Sequence, residues 1–230
     1  MTEKWKIIVP EDFKVSDNEY LINGKSYCRV TETLGVIAKH RLMNWMKRVG
    51  EKEANKVLET RQNIGITTHK LIEWTLKDEV YNLGTYENEI QESMCKFYEF
   101  RTLASLKPDA LEQKLWSNKF GYAGTADYIG TYKTIEKFLV RTQTPKFTKG
   151  GYIILDWKTA KDFYPTYRLQ LAAYLVAFEE LTKLQIDGGA IVLIRNGKLK
   201  IKEWTREELL QEFEVYKALL IVYRWWKPEK

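Results

Sequence analysis

An acid at Asp127 is followed, one apolar segment later, by an acid and a lysine two positions apart, Asp156 and Lys158. Gln170 and Tyr174 then stand four apart in a stretch of helical periodicity. Alternate side chains of a strand share a face, so residues 152–158 send Ile154, Asp156 and Lys158 one way. Ile153, Leu155 and Trp157 point the other way, into an apolar layer. Asp127 shares a face with Thr125 and Ile129, and pairing of the two strands would make two carboxylates and an ammonium converge. Ionising adjacent carboxylates in a partly buried place is costly. A divalent cation removes that conflict, acidifies a bound water and polarises a phosphoryl oxygen. Lys158 can orient the attacking water and offset phosphate charge, or act as a base. The chemistry this suits is metal-dependent cleavage of a phosphodiester. A D-x-K triplet alone reads as a surface ion pair worth about 0–1 kcal/mol. The company of Asp127, and of Gln170 and Tyr174 at i,i+4 spacing, turns the reading towards a site.

The elements that must position these groups follow from periodicity and punctuation. Residues 19–29 predict a hairpin turning at Asn23-Gly24. From Thr31 to about Ser105 the pattern is helical, punctuated by Gly50, Gly65 and Gly84. A helix over 66–77 is expected to open on threonines as caps, with Leu71, Ile72 and Leu76 at helical spacing. The character changes at Pro108. Segments 112–117, 122–132 and 151–157 read as strands, 166–184 as a helix, and 190–195 with 198–204 as a second hairpin around Asn196-Gly197. The tail 206–226 is amphipathic, with Leu209, Leu210, Phe213, Tyr216, Leu220 and Tyr223 on one period. The expected class is α/β (α+β): one domain, its hairpin and helical part in 1–107 and its sheet-containing core in 108–230.

Four separated motifs resemble those of the PD-(D/E)XK nuclease superfamily, in its RecB-like exonuclease branch. They are Gly65-Ile-Thr-Thr-His69, Gly124-Thr-Ala-Asp127, Asp156-Trp-Lys158-Thr159 and Gln170-Leu-Ala-Ala-Tyr174. The segment Val30-Thr31-Glu-Thr-Leu34 is similar to the opening of phage and mitochondrial exonucleases of this branch, and the likeness spans roughly 29–178. The resemblance implies a restriction-endonuclease-like core, a mixed and mostly antiparallel sheet flanked by helices. It makes Asp127 and Asp156 metal ligands, Lys158 the catalytic lysine, and the Trp157 carbonyl part of the coordination. Gln170 and Tyr174 would hold the lysine, the scissile phosphate or a neighbouring strand end. His69 becomes a further ligand, and an imidazole makes Mn2+ as suitable as Mg2+. Glu73, one turn after His69, and Glu112, one strand before Asp127, are supporting candidates. His40 has no comparable context.

Composition bounds the rest. The chain has 230 residues, 44% hydrophobic and 30% charged, with a formal net charge of +6, which favours a polyanionic partner. No apolar run approaches the roughly 20 residues of a membrane span, and an intracellular protein is expected. Two cysteines, Cys28 and Cys95, cannot supply the four that the CRISPR-associated members of the branch use for an iron–sulfur cluster. No phosphate-binding G-x-x-x-x-G-K-[ST] loop occurs, so no helicase motor is expected. Arg61, Lys161 and Arg168 flank the motifs as candidates for DNA phosphates. Lys137 and Arg141 lie in a basic stretch, 133–150, which is longer than the matching connection of many relatives and reads either as an extension that tracks the nucleic acid near the metal or as a solvated basic loop. The expected activity is DNA exonucleolysis on single strands or ends. An endonuclease of the same fold and a noncatalytic binding module are the rivals, and replication or recombination proteins are the partners implied.

Overall fold

A computed structural model describes residues 5–15 and 19–227, the side chains of 39–41 excepted; His40 is among those. The order is β1 (Lys14–Val15), β2 (Glu19–Ile22), β3 (Lys25–Arg29), α1 (Val30–Val49), α2 (Glu51–Leu76) and α3 (Asn88–Leu103). Then come β4 (Lys107–Ser117), β5 (Tyr122–Tyr132), β6 (Gly151–Lys158), α4 (Pro165–Thr182), β7 (Gly188–Arg195), β8 (Lys198–Thr205) and α5 (Arg206–Trp226). The result is an α/β protein with one mixed sheet of eight strands. Among the described strands, β3–β5 and β6–β7 pair parallel and the other five pairings are antiparallel.

Hydrophobic alternation assigns the layers. Ile153, Leu155 and Trp157 of β6 face α2 and α3 in one cluster with Leu71, Ile72, Phe97 and Phe100. Ile154 and, from β7, Ile191 face the opposite cluster, built by α1, α4 and α5 around Leu171, Phe178, Phe213 and Tyr216. Helix α4 is buried nearly all round its axis, as expected of a helix wedged between the sheet and two others. Both hairpins turn at Asn-Gly with positive φ at both residues (50° and 70°, then 47° and 64°), the geometry that matches strand twist. Helix α5 opens on a capping box, Thr205 and Glu208.

One pairing detail makes the site. Along one edge, β5 pairs with β4 for nearly its whole length. Its other edge is shared: β3 takes Tyr122 and Ala123, and β6 takes Tyr128 to Tyr132. Residues 124–127 lie in the fork between, where β3 leaves the sheet to enter α1 and β6 begins to pair.

Two expectations differ. Gly65 does not break the helix, and Thr67 and Thr68 do not cap one: α2 runs unbroken from Glu51 to Leu76. Thr68 instead bonds the Ile64 carbonyl one turn back. The basic stretch is a folded edge, with Leu139 bridging Ile201 of β8 and Val140 N–H donating to the Ile201 carbonyl. The Gln143 amide accepts from the Glu203 N–H at 2.8 Å and donates to its carbonyl at 2.9 Å.

Candidate metal centre and active site

The fork holds a cavity of about 280 Å3, lined by Arg29, Val30 and Thr31 on one side and by Asp156, Lys158 and Gln170 on the other. His69, Gly124, Asp127 and Tyr174 also reach it. Helix α1 starts at this cavity without a side-chain cap. The free N–H groups of such a first turn suit an anion.

The two motif glycines differ in how tightly they are packed. A Cβ on Gly124 would stand 2.5 Å from Cε1 of Tyr174, so only glycine lets the tyrosine ring lie on β5. A Cβ on Gly65 would stand 3.2 Å from Oγ1 of Thr159. Gly65 therefore lies close against the residue that follows β6, and His69, one turn along the same face, reaches β5.

Asp127 accepts the Trp157 N–H on Oδ2 at 2.8 Å, and His69 Nδ1 lies 3.4 Å from the same oxygen. The N–H and carbonyl of one strand residue point to the same side, so the Trp157 carbonyl is also turned towards β5. The Trp157 ring packs edge-on against Phe97, 5.4 Å between centroids, and fixes the strand from behind. Asp156 is buried at 1% exposure. Gln170 Nε2 donates to its Oδ1 at 3.0 Å and to the Tyr174 hydroxyl at 3.1 Å. Lys158 Nζ pairs with Asp156 Oδ2 at 2.5 Å. Burial pushes the Asp156 carboxyl above its ordinary range; the Lys158 ammonium opposes this and the Asp127 charge adds to it.

Glu112 is more central than the sequence suggests. Ligand atoms of His69, Glu112 and Asp127 all lie within 4.8 Å of one another. Glu112 has φ of +48° in the middle of β4, a left-handed backbone that bulky residues rarely adopt. Desolvation, then the charges of Asp127, Glu73 and Asp156, push its carboxyl up to about 7. Glu112 nevertheless stays open to solvent, so the negative charge gathers at the open side of the cluster; with an imidazole beside it, this excess fits a divalent cation. Glu73 stands behind the cluster with Lys77 Nζ 2.5 Å from its carboxylate. Tyr167 is a residue the sequence reading missed. Lys158 Nζ sits 5.2 Å from its ring centroid, and the ring occupies the same helical stripe as Gln170 and Tyr174. That i, i+3, i+7 spacing was its available signal.

The expected phosphate ligands are not gathered here. Arg61 makes two hydrogen bonds to Glu89 of α3, at 2.6 and 2.8 Å. Arg168 Nε pairs with Glu212 of α5 at 3.1 Å. Lys161 is exposed on the loop after β6. Lys137 and Arg141 line a different groove, where Lys137 pairs with Glu99. The basic stretch therefore closes the β8 edge and does not reach into the acid cluster.

No family model matches the chain, and no curated protein matches it. Among solved structures 18 chains match. One is SSO0001, with 14% identity and a TM-score of 0.40 over 86% of this chain and 75% of that one. Among the described residues no helix is long and apolar enough to cross a membrane.

Proposed function

We propose that the protein is a divalent-metal-dependent DNA exonuclease acting on single strands or exposed ends, of the RecB-like PD-(D/E)XK type. The observation that carries this reading is the meeting of Asp127, Asp156 and Lys158 in one cavity, with His69 and Glu112 beside them. His69, Glu112, Asp127 and Asp156, with the Trp157 carbonyl, would hold Mg2+ or Mn2+. When bound, such a cation lowers the pKa of a water and offsets charge on a phosphoryl oxygen.

The chain's own groups supply the positioning. Gln170 fixes the Asp156 carboxylate and, through Tyr174, ties α4 to the glycine face of β5. Lys158 holds its charge against Asp156 and over Tyr167, ready to orient a water or meet a phosphate oxygen. The uncapped first turn of α1 offers N–H groups to a phosphate on the facing wall. Hydrophobic packing behind β6 keeps Asp156 dry, where electrostatic interactions are stronger than in water.

The test is cleavage of end-labelled single-stranded, duplex and circular DNA with Mg2+, Mn2+ or EDTA, beside Lys158→Ala. Metal-dependent loss of linear DNA that spares circles, and is absent from the variant, is the expected result. Cut circles would mean an endonuclease. Binding without cleavage under every condition would leave a nucleic-acid-binding module.

A further inference from the structure

Sheet register extends the site sideways. Asp156 is opposite Ile191 and Ile191 opposite Lys202; in the next row Lys158 is opposite Leu193 and Leu193 opposite Lys200. Directly opposed residues share a face. Lys200 and Lys202 therefore project from the same face of the sheet as Asp156 and Lys158, two strands away. Their neighbours Leu199 and Ile201 turn into the opposite core. Lys198 continues the alternation at the hairpin tip.

Lys198 and Lys200 are exposed, and neither has an ion pair among the described residues. Lys202 Nζ lies 5.0 Å from the centroid of Phe163, on the loop that follows Lys158. At the β8 edge the stripe meets a groove of about 770 Å3, lined by Lys96, Lys137, Phe138 and Arg141 besides Lys198 and Lys200. Acids are present but few. Glu136 lines the groove, Glu99 takes up Lys96 and Lys137, and Glu92 lies 3.5 Å from where a Cβ of Gly197 would be.

We propose that the lysines of β8 form a backbone track for a nucleic-acid strand, running along β8 from Lys202, beside the loop that follows Lys158, through Lys200 and Lys198 to this edge groove. The choice of a nucleic acid rests on the nuclease reading; the polyanionic character rests on the register alone. Lysines two apart on a strand rise about 6.6–6.8 Å. That repeat is close to the spacing of successive phosphates on an extended single strand, whereas scattered surface charges have no such repeat. The track explains why cations are unpaired at β8 while Arg61 and Arg168, nearer the motifs in sequence, are consumed by Glu89 and Glu212.

The test is affinity of the full chain for a fluorescent single-stranded DNA in EDTA, over a range of salt. Lys198→Glu/Lys200→Glu is compared with Lys52→Glu/Lys56→Glu, an equal charge change on the exposed start of α2. The β8 variant should lose affinity at least about tenfold, with a salt slope shallower by about 1.4 for two phosphate contacts. The α2 variant should change less than twofold. Lys198→Gln/Lys200→Gln guards against misfolding and should show the same slope change. Equal losses in the two reversals, or none at β8, would overturn the track. Competition by an oligoglutamate of matched charge as strong as by DNA would overturn the assignment to nucleic acid. Loss of affinity at β8 without any metal-dependent cleavage would leave the track standing and remove the nuclease reading.

Discussion

The Trp157 N–H donates to the carboxylate of Asp127 at the point where β5 and β6 stop exchanging main-chain hydrogen bonds. Asp127 thus has two separable duties, closing the ladder and holding charge. Asparagine keeps an oxygen for Trp157 but removes the repulsion that Asp127 exerts on Glu112 and Asp156. Metal-free Asp127→Asn should melt at or above the parent temperature, while Asp127→Ala should lose about 1 kcal/mol. Both should lose metal-dependent activity by at least about 100-fold. Calorimetry beside a cleavage assay separates the two duties.

Gly124→Ala should be among the most damaging small substitutions. Its Cβ would meet the Tyr174 ring at 2.5 Å, and the ring is buried at 3% exposure. Expelling that ring frees Gln170 from its hydroxyl partner and costs about 1–3 kcal/mol. Adding Tyr174→Ala should recover part of the stability, through the space it opens, but not the activity. Thermal melts of the single and double variants measure this.

The pH dependence of the metal-free protein has a definite sign. The raised carboxyl of Glu112 means that the folded chain holds that proton more tightly than the unfolded one. Its contribution is complete below the usual carboxylate value of about 4.5 and is lost as pH rises through about 7. Asp156 is raised too and acts in the same direction. Melting temperature without metal should therefore fall across that window, and Glu112→Gln should flatten the fall. Saturating Mn2+ should reverse it, because binding favours the ionised carboxylates.

His69 distinguishes the metals. An imidazole suits Mn2+ better than Mg2+, which prefers oxygen. His69→Ala should reduce the Mn2+-induced rise in melting temperature more than the Mg2+-induced one. Equal loss of both shifts, or no loss, would remove His69 from the coordination.

Gln143→Ala should lower stability without touching chemistry. The Gln143 side chain replaces a peptide group against Glu203, and the Glu203 carboxylate is fully buried between Tyr132 and the Lys146 N–H. Two lost hydrogen bonds should cost about 1–3 kcal/mol. Specific activity below the melting transition should stay within about twofold of the parent.

The order of elements was readable because alternation and helical period remain distinct where one face is buried. Both Asn-Gly turns, the β6 face bearing Asp156 and Lys158, and the apolar face of α5 follow directly from spacing. Other features depend on contacts far apart in sequence. Gly65 looks like a break, yet it lies inside α2, close against Thr159. Glu112 is exposed, as its strand context suggests; nothing local reports the left-handed backbone that sets it beside His69 and Asp127. The 133–150 stretch carries enough lysine to suggest a loop on DNA. Its Gln143 and Val140, which pair with β8, carry no local signature of an edge. Charge was legible; the ion pairs that consume Arg61 and Arg168 were not.

The fork has a consequence for how the chain acquires its site. Donors come from α2, β4, β5 and β6, and their restraints come from α4, which β6 must precede. They are spread from His69 to Tyr174 over five elements, and non-local pairing is the slow part of folding. During synthesis His69, Glu112 and Asp127 emerge well before Gln170 and Tyr174. A partial chain therefore lacks the restraint on Asp156, and the complete constellation arises only when α4 docks. The topology delays assembly of the site until most of the molecule is formed.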